Sequence, residues 1–163
     1  MPIQKVISSA VSHLGYQEGA NNDNKFAAIA GHANHQPYCV TGIRAAQIEG
    51  DEKTAMKNTA GCIDLLAWAT ANNALVTIET GKRGDVALLN FDGGKVPQHA
   101  ALLIHDYDLK KNEIQTIEYN TSSGVGSQSN GGGVYKKRRQ RAYIVAMVRP
   151  KYSDYKKAPI GQK

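Results

Sequence analysis

Apolar positions recur at helical spacing in the first half of the chain and at strand spacing in the second. Ile3, Ile7, Ala10 and Leu14 form a stripe at intervals of four, three and four residues, which predicts an amphipathic helix ended by Gly15. The following GYQEGANNDNKF is dense in Gly, Asn and Asp and reads as turns, KFAAIAG as one or two helical turns, and HANHQP as a polar loop. In PYCVTGIRAAQI, which starts at Pro37, Val40, Ile43 and Gln47 keep helical spacing, Ala45 and Ala46 favour helix, and Gly50 offers a stop. Cys39 is therefore expected in the first turn of that helix. After the charged connector GDEKTAMKN, the segment AGCIDLLAWATANN places Cys62, Leu65, Leu66 and Ala69 on one helical stripe, which assigns Cys62 to packing. Beyond Asn73 the period changes. DVALLNF, HAALLIHDYD, EIQTIEYN, GVYKKRR and AYIVAMVRP are short runs rich in Val, Ile and Tyr, separated by Gly, Asn, Asp and Ser, and they predict strands. SSGVGSQSNGGG is expected as a mobile hairpin loop. Helices come first and strands second, with no βαβ alternation, so the expected fold class is α+β, with helices packed on an antiparallel sheet.

The 163 residues suit a single domain, expected over residues 1–150, with residues 151–163 as a C-terminal surface extension. Twenty Lys and Arg against fourteen Asp and Glu give a net charge of +6, so the expected partner is anionic: nucleic acid, an acidic membrane face or a cell-wall polymer. The run KKRRQR, the densest basic stretch, reads as the solvated face of an edge strand. Cys39 and Cys62 are too few for a secreted disulfide scaffold and are expected to be reduced. The N-terminal residues carry no apolar core of a signal peptide, and no apolar run approaches membrane-spanning length. Synthesis in a cytosol and no membrane insertion are the corresponding expectations.

A cysteine at a helix start is placed for chemistry, because the free N–H groups and the positive dipole end favour thiolate over thiol. A thiolate nucleophile needs a base, and the base needs a group to hold its ring. Of five histidines, His99 has the most suggestive setting. Strand alternation in QHAALLIH puts His99, Ala101, Leu103 and His105 on one face, with small alanines leaving room beside His99. His105 lies roughly 20 Å further along the strand and belongs elsewhere. In EIQTIEYN, the residues Ile114, Thr116, Glu118 and Asn120 share a face. A hairpin centred near Leu109 would bring His99 opposite the region of Glu118 and Asn120, with Glu118 fixing the ring and Asn120 as an auxiliary orienter or substrate contact. The backbone N–H of Cys39 is then a candidate oxyanion donor and Gln36 a second, while Tyr38 is a substrate contact or a core residue. Two alternatives use the same residues otherwise. His32, His35, Cys39 and Cys62 could ligate zinc, although the spacing is imperfect. A basic, non-catalytic module could instead bind cell-wall polymer or nucleic acid, although aromatics make up only 7% of the chain.

Taken in order, the opening helix with GYQEGANNDNKF, then PYCVTGI, GDVALLNF, PQHAALLI, TIEYNTSSG, GGGVYKKRR and VRPKY resemble the CHAP family of cysteine, histidine-dependent amidohydrolases and peptidases, particularly the catalytic domains of phage endolysins and tail-associated lysins. The resemblance implies a papain-like α+β core and a thiolate–imidazolium pair that cleaves an amide bond of bacterial peptidoglycan through an acyl-enzyme. It carries the nucleophile onto Cys39, the base onto His99, the orienting acid onto Glu118 and a nearby polar residue onto Asn120. Tyr38 stands where many relatives have tryptophan. Only Asp23 lies among the amides of the loop that holds calcium in some relatives, so no metal or other cofactor is expected. The implied setting is a monomeric lytic enzyme acting on peptidoglycan and not on nucleic acid. It would be made in a host cytoplasm and then released to the wall, or carried on a virion.

Overall fold

The computed structural model describes residues 2–124 and 126–156. Four α-helices and one sheet make up most of it: α1 (Pro2–Ser12), α2 (Phe26–Ala30), α3 (Cys39–Glu49) and α4 (Cys62–Ala71) precede the main strands. Six strands are present among the described residues, β1 (Leu75–Val76), β2 (Val86–Leu89), β3 (His99–Leu103), β4 (Glu113–Thr121), β5 (Gly133–Gln140) and β6 (Ile144–Val148). They form one antiparallel sheet in the order β1-β6-β2-β3-β4-β5. The α+β architecture expected from the hydrophobic pattern is what forms. Only the two-residue β1 had no counterpart in that pattern. No helix among the described residues is long and apolar enough to cross a membrane.

The alternation that marked the strands sorts side chains to two faces. Val86, Leu88, Ala100, Leu102, Ile117, Tyr119 and Val148 join Val6, Val40, Ile43 and Leu65 in the main core between helices and sheet. Ala87, Leu89, Ala101, Leu103, Ile114 and Met147 form a smaller cluster on the other face. Because β2 and β3 are covered on both sides, they read as continuous apolar runs.

Helix α3 is the central strut. Every residue from Cys39 to Gln47 is buried. Burying a whole helix requires close backbone approach on at least one face, and Gly42 supplies it. A Cβ built at Gly42 would lie 2.1 Å from the Tyr119 ring. Arg44 is also buried, and its guanidinium donates to Gln47 Oε1 at 2.6 Å and to the Lys53 carbonyl at 2.7 Å, tying the following loop to the helix.

Two sequence expectations change. The segment after Pro150 is not a surface extension over its described part, because Tyr152 is fully buried and donates its hydroxyl to the Gly84 carbonyl at 2.7 Å. Asp154 accepts the Ile3 N–H at 2.9 Å, at the start of α1, so the chain end clamps the first helix. Residues 157–163 of that expected extension lie outside the described residues. The Gly/Ser loop between β4 and β5 is likewise tied down, by Thr121 Oγ1 donating to the Gln128 carbonyl at 2.7 Å and Asn120 Nδ2 to Asn130 Oδ1 at 3.0 Å.

The close approach of α3 to β4 makes Gly42→Ala a direct test of the packing. The added methyl has no space, so the variant is expected to lose about 2–3 kcal/mol in urea unfolding. A change below about 0.5 kcal/mol would mean that helix and strand are less tightly opposed.

Candidate active site

The start of α3 brings Cys39 to the start of β3. Tyr38 occupies the N-cap position without a side-chain capping bond, so the first-turn N–H groups and the dipole act near Cys39 unshared with a cap. Cys39 is only 5% exposed, and it forms part of the lining of a cleft of ≈ 740 Å³ with Gln36, Pro37, Cys62, Ile63 and Gln98.

His99 opens β3 and is fully buried. The register pairs Leu102 with Ile117 and Leu103 with Thr116; continued three places, it sets Asn120 across from His99 and Glu118 one diagonal away. Diagonal neighbours on one face are within reach of long side chains. His99 Nε2 and Glu118 Oε1 are 2.9 Å apart, the contact anticipated from the hairpin.

Glu118 is itself held from two further directions. Thr116 Oγ1 donates to Oε2 at 2.6 Å. Arg139 on β5 grips both oxygens, with Nε 2.9 Å from Oε2 and Nη2 2.6 Å from Oε1. The Arg139 guanidinium also lies 4.9 Å from the centre of the Phe91 ring, which shields it from solvent. The basic run is therefore not wholly a solvated strand face: Lys136, Arg138 and Gln140 are exposed, but Arg139 is buried and points to the site.

The electrostatics run along this chain of contacts. Burial favours the neutral acid of Glu118, yet hydrogen bonds and charge from His99 and Arg139 hold its carboxyl at about 2. Burial disfavours the imidazolium of His99, and the hydrogen bonds and charges of Cys39 and Glu118 outweigh it, raising His99 to about 9. The Cys39 thiol is lowered well below its ordinary value, first by a hydrogen bond from Cys62 and then, against the cost of burial, by His99. With Nε2 committed to Glu118, Nδ1 is the ring atom left to serve the sulfur, and it is buried without a hydrogen-bond partner among the described residues. A thiol shifted towards thiolate beside an imidazole shifted towards imidazolium, backed by a carboxylate and a guanidinium, can act chemically as a nucleophile with its proton donor.

Other expected residues land differently. Tyr38 is 1% exposed, donates to Glu18 Oε1 at 2.9 Å and stacks on Phe26, so it is a core residue and not a substrate contact. Asn120 does not reach His99. It adopts φ +58° at a register shift in β4, and its Nδ2 points to Asn130 and the Ser129 carbonyl, so it fastens the loop. Gln36, the candidate oxyanion donor, is exposed and lines the cleft. Cys62 is not a packing residue alone: it starts α4, is half-buried beside the cleft, and its sulfur is 3.7 Å from that of Cys39. The zinc alternative finds no cluster. His32 is engaged by Thr41 and Asn58 and His35 by the Asn21 carbonyl, and no group of three or more metal-ligating side chains occurs among the described residues.

Arg139 was missed because its neighbours in KKRRQR are surface cations. The signal was present in the alternation, since antiparallel pairing of β5 with β4, Thr116 opposite Lys137 and Ile114 opposite Arg139, puts Arg139 on the Glu118 face.

No protein-family model matches the sequence, and no curated protein matches it significantly. Solved structures do resemble the fold. The peptidoglycan hydrolase RipB from Mycobacterium tuberculosis superposes with a TM-score of 0.54 at 17% identity, over 93% of this chain and 65% of that one. The P60 domain of an antigen from M. avium subspecies paratuberculosis gives 0.47 at 15% identity, over 91% of this chain and 93% of that one. A lipoprotein-like protein of the NLP/P60 family from Staphylococcus aureus gives 0.49 at 12%, over 91% and 41%. The chain thus spans just under two thirds of RipB, and at these identities the likeness defines the fold as papain-like α+β.

Arg139→Gln should cost about 3 kcal/mol at pH 7, because it removes the bidentate cation of a buried carboxylate and leaves His99 alone to balance it. Glu118 sits at about 2 in the fold against an ordinary 4.5, so its contribution is present above 4.5 and is lost as the pH falls towards 2. Denaturant unfolding of both proteins at pH 7 and near pH 2 should show the gap narrowing in acid. An equal gap at both pH values would contradict the ion pair.

Proposed function

We propose that this chain is a cysteine hydrolase that cleaves an amide bond of bacterial peptidoglycan. The observation that carries the proposal is the line Cys39, His99, Glu118, Arg139 ending at the cleft, within a papain-like fold shared with a solved peptidoglycan hydrolase. Cys39 sulfur attacks the carbonyl of the bound amide, and the developing oxyanion meets the backbone N–H of Cys39 and the amide of Gln36 at the cleft. His99 passes its proton to the leaving amine, and then takes one from the water that releases the acyl group. Glu118 holds the ring and stabilises its charge through both stages, and Arg139 keeps Glu118 ionised.

The finer reading is a CHAP-type lytic enzyme of phage origin, acting as an amidase or endopeptidase after release from a host cytoplasm. The motif order of the sequence supports it, and the net charge of +6 suits attachment to an anionic wall. Monomeric action requires no second subunit, since every residue invoked lies in one chain.

The test is digestion of purified peptidoglycan followed by mass spectrometry of the products, in which each new amine terminus identifies the bond cut. Cys39→Ala should remain folded and release no fragments; undiminished release would overturn the proposal. Because His99 must be protonated to serve the leaving group and is raised to about 9, kcat/KM should hold through neutrality and fall above pH 9. In Glu118→Gln that alkaline fall should move to lower pH, with kcat/KM reduced by about 10²-fold or more. A profile unmoved by the substitution would remove Glu118 from the mechanism.

A further inference from the structure

Two cysteines at the starts of two different helices share the same cleft, with their sulfurs 3.7 Å apart. Among the described residues both are free thiols. A disulfide needs the sulfurs at about 2.05 Å, a closure of less than 2 Å that rotation about two χ1 angles can supply with a small shift of one helix end. The structure allows that shift on the α4 side. Of α4 only Leu65 and Ala69 are fully buried, Ile63 is 63% exposed, and Gly61 precedes Cys62 in an extended conformation. Helix α3, by contrast, is locked into the core.

We propose that Cys39 and Cys62 form a reversible disulfide on exposure to peroxide, and that this bond switches the site off. The inhibitory consequence rests on Cys39 being the nucleophile; formation of the bond does not. In the first step the Cys39 thiolate attacks one peroxide oxygen, forming an S–O bond and breaking the O–O bond, and the departing hydroxide is protonated to water. In the second, the Cys62 sulfur gives up its proton and attacks the Cys39 sulfur, forming the S–S bond and expelling the sulfenic oxygen as a second water. Two electrons pass from two thiols to one peroxide, and a dithiol reductant returns them.

The geometry suits this order of events. Cys39 is the sulfur favoured as thiolate, with His99 and the α3 N-terminus beside it, so it reacts with oxidant first. Cys62, held in the thiol form by its hydrogen bond to Cys39 and by its burial, stands at the distance a resolving cysteine requires. Trapping the sulfenic acid as a disulfide protects Cys39 from the irreversible sulfinic and sulfonic acids. The cleft of ≈ 740 Å³ admits peroxide readily, and in the oxidised form the nucleophile is consumed and the α4 wall is drawn across it.

The experiment treats the native chain with hydrogen peroxide, alkylates the remaining thiols and weighs the intact protein. The expected product is a monomer lighter by about 2 Da with no alkylable cysteine, restored by dithiothreitol. Peptidoglycan release should fall at least tenfold and return with the reductant. In Cys62→Ser the same treatment should give no lighter species and should carry Cys39 to a sulfinic acid, heavier by about 32 Da. A sulfinic acid on Cys39 in the native chain with Cys62 still alkylable, two unreacted thiols, or a disulfide-linked dimer would each overturn the proposal. If the intramolecular bond forms in a chain that never releases peptidoglycan fragments, the disulfide stands and the proposed hydrolase function falls.

Discussion

Buried Glu118 is kept ionised by His99 and Arg139 together. A buried carboxylate alone would take up a proton rather than remain charged, and a protonated Glu118 could not hold an imidazolium. Arg139 meets both carboxylate oxygens, Thr116 adds a third donor, and His99 completes the set, so all the charge is matched where water cannot reach it. The pattern continues outward: guanidinium, carboxylate, imidazolium and thiolate alternate in sign from the β5 strand to the cleft. Each charge is stabilised by the one behind it, and removing any link leaves its neighbours buried and uncompensated. Apolar residues of similar volume would pack the same space without the desolvation cost.

Alternating charges would be useless if the helix carrying Cys39 could slide relative to the strands carrying His99 and Glu118. The burial of α3 from Cys39 to Gln47 prevents that, and the contact of Gly42 with the Tyr119 ring fixes the helix against the same strand that carries Glu118. Tyr38, immediately before Cys39, is anchored to Glu18 and Phe26, so the approach to the helix is as fixed as the helix itself. The chain end contributes from a distance. Tyr152 accepts from Gln47 Nε2 at 3.2 Å, which links the segment after Pro150 to the last turns of α3.

Period and order in the sequence were enough to reveal the α+β architecture, because a helical stripe and a strand alternation each reflect which face is buried. Hairpin arithmetic placed His99 near Glu118 for the same reason: register follows from position about a turn. Residues whose role depends on a third element were not legible. Arg139 looked like any cation in a basic run until β5 paired with β4, and Cys62 looked like a packing residue until the start of α4 met the start of α3. Asn120 shared the alternation of Glu118 on paper, but its positive φ at a register shift turns it to the loop. Tyr152 is an aromatic in a polar tail, and its burial against Gly84 is set by tertiary packing that no local pattern records.

Cys39 and Glu118, the latter ionised between His99 and Arg139, keep His99 charged at neutral pH. Nitrogen NMR of the histidine ring, followed against pH, reads that charge at the atoms concerned. Both ring nitrogens of His99 should stay protonated through pH 7, and the ring should titrate near 9. A His99 ring that becomes neutral at or below its ordinary 6.5 would contradict it.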